Sequence, residues 1–161
     1  MHQTRFNLVR VGMLLYGAFP SDEVPMDMPI KPVMEFKGPV VALREVSTGR
    51  KVSYGGVWEA TQDTIIGVIQ TGFADGFPRS WYMDGYVGLR GKYYPIAGRV
   101  CMDQFMVDFG AADVRVGDEV LIFGQNDSET IRIEDIAKAI ASTSYVLLTA
   151  IGGRTERIFI N

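Results

Sequence analysis

TIIGVIQT, Thr64 to Thr71, is a continuous apolar run rich in β-branched side chains. A run without polar alternation needs cover on both faces, so it predicts a central, buried strand. The sequence around it keeps a β character from Val33 to Gly124. Downstream, Tyr86–Leu89 and Lys92–Ile96 flank Arg90-Gly91, the signature of a two-residue hairpin. Val100–Phe109 reads as a strand, as does Glu119–Phe123 after Gly117-Asp118. Upstream, Val33–Lys37 and Val40–Val46 read as two short strands broken by Gly38-Pro39. Ser47–Arg50 is a turn, and Lys51–Tyr54 runs into Gly55-Gly56.

Helical periodicity enters only near the C-terminus. Ile133, Ile136, Ala137 and Ile140 fall at i, i+3, i+4 and i+7. Glu134 and Asp135 occupy the favoured first turn, and Glu134–Lys138 forms an i,i+4 pair on what reads as a solvated face. Tyr145–Ile151 predicts a second short helix stopped by Gly152-Gly153, and Arg157–Ile160 a closing strand. The expected fold class is mainly β. It is a β-barrel-like domain of short, mostly antiparallel strands with one or two short helices near the C-terminus.

Composition narrows the function. The chain has 161 residues, 47% apolar and 22% charged, enough for one compact core without staples. Sixteen Lys and Arg against nineteen Asp and Glu give a formal charge of −3, which carries no basic nucleic-acid footprint. A single cysteine precludes an internal disulfide and suits a reducing compartment. A single histidine, His2, leaves no His-based metal site. Val11–Phe19, the longest apolar stretch near the start, is about half of the ~20 residues a membrane span requires. The expected setting is cytoplasmic, with no membrane and no nucleic-acid partner.

Ser21–Pro32 is rich in proline and acid, a linker composition. The expected organisation is therefore a segment 1–20 that reads as cut from something larger, a linker 21–32 and a β-domain 33–161.

Four clusters set polar or reactive side chains beside glycines, where backbone can approach a ligand. They are RVGMLLYG (Arg10–Gly17), VSYGG (Val52–Gly56), TGFADGFPR (Thr71–Arg79) and GRVCMDQ (Gly98–Gln104). Each alone has a plain structural reading. Ser-Tyr-Gly-Gly can be a strand end, Asp75-Gly76 a routine turn, Arg10 a solvated charge, and Cys101 a buried inert thiol. Together, in this order, they resemble the C-terminal part of the alanine racemases, the fold-type III family that uses pyridoxal 5′-phosphate. RVGMLLYG is similar to that family's R-x-G-x-x-L-Y-G, and TGFADGFPR to its I-G-Y-A-D-G-x-x-R. GRVCMDQFMVD resembles G-R-V-C-M-D-Q-x-M-V-D, and the later GDEVLIFG and TSYVLLTAIGGRTERIF resemble further family motifs.

The resemblance implies a larger N-terminal (β/α)8 barrel that holds the cofactor on a lysine. It makes residues 1–20 the remnant of that barrel's end. It also implies a head-to-tail homodimer in which the β-domain of one subunit completes the site of the other. Racemisation of L- and D-alanine then uses two bases, the barrel lysine on one face of Cα and Tyr54 on the other. A tyrosine, with an unperturbed pKa of about 10, needs an environment that favours the phenolate to act as a base.

By the same resemblance, the Met102 backbone N–H holds the substrate carboxylate, with Cys101 and Asp103 beside it. Phe73, Arg79 and Arg99 line the substrate access corridor. Arg10 faces the pyridine nitrogen, and an arginine keeps its proton. Gly12 and Met13 present N–H groups to the cofactor phosphate. The chain on its own is expected to be inactive, with Arg10 on a loose N-terminal arm.

Two positions depart from the family pattern. Phe73 stands where a tyrosine is usual and lacks its hydroxyl. Gly153 replaces a tyrosine that helps hold the phosphate and narrows the inner gate. These departures keep two alternatives open: a racemase of another amino acid such as serine, and a non-catalytic β-barrel interaction domain.

Overall fold

The computed structural model describes residues 7–21, 23 and 27–160. The proposed N-terminal segment and linker therefore lie partly outside the described residues, at positions 1–6, 22 and 24–26. Seven strands form the main sheet: β1 (Phe36–Val46), β4 (Thr64–Ile69), β5 (Tyr86–Leu89), β6 (Lys92–Pro95), β7 (Phe105–Asp108), β8 (Glu119–Gln125) and β9 (Thr130–Ile131). Their order is β6-β5-β8-β1-β4-β7, with β9 paired to β8, and every pairing is antiparallel. The mainly β class is as expected. The two ends of the sheet meet at one isolated bridge, Ile96 with Val107, so the sheet curls like a barrel without a closed ladder.

The TIIGVIQT run forms β4, flanked on both sides by β1 and β7. Its alternate side chains enter different apolar clusters. Ile65 and Ile69 join the main core, while Ile66 and Val68 pack with Ala97 and Met106. That is cover on both faces. Gly67 between them is needed because a Cβ there would lie 2.4 Å from the Phe109 ring.

Gly38-Pro39 does not break a strand. Residues 36–39 pair with β8, and residues 40–46 pair with β4. The dipeptide sits at the corner where β1 changes partner. A Cβ at Gly38 would meet Thr71 Oγ1 at 2.4 Å, so only glycine admits the crossing chain. Pro39 loses no ladder bond that its neighbours do not replace: its carbonyl accepts from Gln70 N–H, and Val40 N–H donates to Asp118. A break and a sharp corner share the same residues, which is why the two are alike in sequence.

Two other strand expectations are corrected. Val100–Phe109 is strand only over Phe105–Asp108, because Cys101 N–H closes a turn onto Gln104 O at 2.8 Å. Arg157–Ile160 forms no strand, and Ile158, Phe159 and Ile160 are exposed.

Both helices form, α1 over Ile133–Ala139 and α2 over Ser144–Ala150, and they pack against each other. The supposed solvated face of α1 is occupied. Glu134 Oε1 accepts the Phe19 N–H at 2.8 Å and pairs with Arg132 at 2.6 Å. Arg132 also donates to Gly17 O and lies over the Phe19 ring. Met13, Ala18 and Phe19 are buried, so the N-terminal arm is docked over Met13–Phe19, while Arg10 before it is exposed. No helix among the described residues is long and apolar enough to cross a membrane.

Candidate functional site

A two-stranded ribbon, β2 (Lys51–Val52) with β3 (Trp58–Glu59), lies outside the main sheet's ladder and packs Val52 and Trp58 against Ile66, Ala97 and Met106. Its connecting turn carries Tyr54 at the tip, 67% exposed. The turn is bent hard. Gly55 and Gly56 have φ of 72° and 54°, values that suit glycine. Ser53 has φ 68° and ψ 178°, a region that costs a side-chain-bearing residue on the order of 1–3 kcal/mol. Ser53 holds it because its Oγ donates to Arg99 O at 2.7 Å. Gly98 makes that approach possible, since a Cβ there would lie 2.6 Å from Ser53 Cβ. Arg99 returns a contact, Nη1 donating to Tyr54 O at 3.4 Å. The ribbon tip is thus tied to the 98–101 segment from both sides.

That segment leads into the Cys101–Gln104 turn, which lies on a second turn, Gly72–Gly76. Phe73 N–H donates to Cys101 O at 3.1 Å and Ala74 N–H to Met102 O at 3.0 Å. A Cβ on Gly72 would sit 2.1 Å from Met102 O, so the two backbones touch only because residue 72 is glycine. Among the described residues the Met102 N–H has no acceptor, and its side chain is 55% exposed. Asp75 folds its own turn, Oδ2 accepting the Gly72 N–H at 2.8 Å. Outside both turns lies Arg154. Its Nε is 3.2 Å from Asp75 Oδ1, and its Nη2 donates to Asp103 Oδ1.

The cluster has a basic, aromatic rim. The Arg79 guanidinium stands 5.7 Å above the Phe73 ring. Burial pushes the Cys101 thiol up from the ordinary cysteine value, while a hydrogen bond from Tyr54 and the charge of Arg79 pull the other way. The Cys101 Sγ donates to Arg99 O at 3.9 Å, which holds the sulfur on the segment that ties down the ribbon tip. The structure brings together Tyr54, Phe73, Arg79, Arg99, Cys101, Met102 and Asp103. Arg10, Gly12 and Met13 lie apart on the docked N-terminal segment, with Arg10 and Gly12 exposed and Met13 buried. No described contact joins them to the Tyr54 cluster. No group of three or more His, Cys, Asp or Glu among the described residues could hold a metal ion.

Comparison with known proteins gives the family. The family model for the alanine racemase C-terminal domain matches residues 33–159. The chain belongs to that family. It is 39% identical over its whole length to the alanine racemase of Desulfosudis oleivorans and 36% identical to alanine racemase 1 of Clostridium acetobutylicum. It covers 42% of the length of each relative. The crystal structure of alanine racemase from D-cycloserine-producing Streptomyces lavendulae superposes with a TM-score of 0.91 at 35% identity. That match covers 99% of this chain and 42% of the other.

Three members of the site escaped the sequence reading. Ser53 and Gly98 lie inside motifs that were read for Tyr54 and Arg99, yet their part is conformational and shows only in dihedrals. Arg154 lies in the TSYVLLTAIGGRTERIF stretch, which carries only a family likeness in the sequence. Its partners are 79 and 51 residues away in sequence, and no local spacing announces them.

Proposed function

We propose that this chain is the β-domain of an enzyme that racemises alanine, lending Tyr54 to an active site completed by a barrel domain and a second subunit. The observation that carries the reading is the placement of Tyr54. Its phenol is exposed at the ribbon tip and held beside the Cys101–Asp103 turn, where an unbonded backbone N–H can take a carboxylate. Inverting a carbon acid needs one proton-transfer group on each face, and Tyr54 serves the face opposite the barrel's lysine. Met102 N–H orients the substrate by its carboxylate, flanked by Cys101 and Asp103. The charges of Arg79 and Arg99, with the Phe73 ring, attract and admit a small amino acid. The alanine racemases among the relatives favour alanine over serine, and the exposed Tyr54 speaks against an interaction module that has shed its chemistry.

Pyridoxal 5′-phosphate, when bound, supplies the electron sink that acidifies the substrate Cα–H. The N-terminal turn suits its phosphate. Gly12 has φ 66° and open space where a Cβ would stand, so its backbone N–H is approachable, and the Met13 N–H follows it in the chain. Arg10 is exposed two residues earlier and would face the ring nitrogen. Residues 1–20 would then be the end of the barrel, 21–32 the linker and 33–161 the β-domain, working in a cytoplasmic head-to-tail homodimer.

Tyr54→Phe in the full-length protein tests this. Removing one of two proton-transfer groups lowers interconversion by about 10³-fold. One enantiomer of alanine still exchanges its Cα hydrogen with D2O, through the remaining group. Unchanged interconversion, or equal loss of exchange from both enantiomers, overturns the assignment.

A further inference from the structure

We propose that Arg154 is a positioning residue of the racemase, a clamp that holds the Met102 turn in the orientation needed to receive the substrate carboxylate. The inference rests on the racemase reading and adds a residue to it. Arg154 is not in the Tyr54 cluster itself. It lies 79 residues beyond Asp75 and 51 beyond Asp103, and its guanidinium reaches both carboxylates with different nitrogens. Those two carboxylates belong to the two turns that stack to form the substrate end of the site.

Each turn is otherwise held mainly by backbone. Phe73 N–H and Ala74 N–H reach the Cys101 and Met102 carbonyls, which fixes the carbonyl side of the 101–103 peptides. Nothing comparable fixes the outer edge, where the Met102 N–H is left without an acceptor among the described residues. Arg154 supplies that restraint from the outside, through the Asp103 carboxylate next in the chain. Asp75 gives it a firm anchor, because Asp75 is mostly buried, with 16% side-chain exposure, and its other oxygen is engaged by Gly72 N–H. Thr155 Oγ1 adds a bond to the Asp75 carbonyl at 3.2 Å, and Arg157 ties the same segment to Ile151 O. The segment after α2, which forms no strand, is therefore shaped to deliver one guanidinium to two acids.

The chemistry of the pair argues for position over stability. Arg154 and Asp103 are half-exposed, 53% and 60%, and exposed ion pairs contribute little to folding. A fork that spans one anchored carboxylate, Asp75, and a second on the turn, Asp103, does set geometry, and lysine, with one compact ammonium on a flexible stem, cannot replace it.

The test uses the full-length enzyme with Arg154→Gln and Arg154→Lys beside Tyr54→Phe. Freeing the turn so that it is competent about a tenth of the time raises KM for alanine about tenfold in Arg154→Gln, with kcat within about twofold. Arg154→Lys, which keeps the charge, is raised nearly as far. By hydrogen exchange, the Phe73 and Ala74 amides in Arg154→Gln open about tenfold faster, while the melting midpoint moves by no more than about two degrees. An unchanged KM in Arg154→Gln, or a wild-type KM in Arg154→Lys, overturns the clamp. So does a fall in kcat that tracks a large drop in melting midpoint, since that marks a merely structural residue. If the full-length protein does not interconvert alanine at all, the racemase reading fails instead, and the exchange rates at Phe73 and Ala74 still decide whether Arg154 holds the turn.

Discussion

Val120, Leu121, Ile122 and Phe123 of β8 expose between 0% and 3% of their surface, whereas Tyr54, at the tip of the β2–β3 ribbon, exposes 67%. The backbones differ as much as the side chains. β8 is hydrogen-bonded to β1, β5 and β9, and its interior residues before Gly124 all lie in extended conformation. The 53–56 turn has three of its four residues at positive φ, one of them a serine. One region lowers the free energy of the fold. The other draws on it to hold an unfavourable backbone in place. The lesson is that the ribbon and the stacked turns are affordable only as appendages of the sheet, and that damage to each should read out differently.

The largest effect belongs to the sheet. Ile122→Ala removes a fully buried side chain from the main core and costs about 3 kcal/mol of local stability. Hydrogen exchange of the β4 and β8 amides should show that loss, while molecules that remain folded keep kcat near the parent's. A large kcat defect with unchanged exchange protection would mean that the sheet and the loops are not separable in this way.

Ser53→Ala should give the reverse pattern on a smaller scale. Loss of the Oγ–Arg99 O bond leaves the strained residue without its restraint, worth about 1 kcal/mol. We expect kcat to fall about tenfold with β8 protection unaltered. Ser53→Gly separates the two contributions, because glycine accepts the φ of 68° but lacks the hydroxyl. If the alanine variant turns over like the parent, the strained turn is not what aims Tyr54.

The same contrast explains what the sequence made legible. β4 and the Arg90-Gly91 hairpin were readable because apolar runs and turn residues act within a few positions. Helix α1 was readable from its four periodic apolar residues. Gly38-Pro39 was misread, since the crossing of Thr71 that demands a glycine there is a contact across the fold. Glu134 was misread for a related reason: an i,i+4 partner was visible on its own helix, but the Phe19 N–H it binds is 115 residues away. Motif order revealed which loops matter. It could not reveal that Ser53 carries the strain or that Arg154 spans Asp75 and Asp103, because dihedrals and long-range pairs have no local signature.

The smallest effect probes whether Tyr54 really meets the Cys101 sulfur. Burial raises the thiol pKa, and the hydrogen bond from Tyr54 and the charge of Arg79 lower it. The net shift is upward, so the folded protein holds the thiol proton more tightly than the unfolded chain. Its contribution to stability is complete below the unfolded cysteine pKa and is lost as pH rises through the folded value. Alkylation of the Cys101 peptide, followed by mass spectrometry across pH, should therefore show a midpoint above that of the denatured protein. Tyr54→Phe removes a group that favours the thiolate and leaves burial in place, so the midpoint should climb further. Arg79→Gln should move it the same way. A midpoint indifferent to Tyr54→Phe would place the phenol away from the sulfur, and with it away from the Met102 turn, leaving the exposed ribbon tip without the neighbour that gives it chemical meaning.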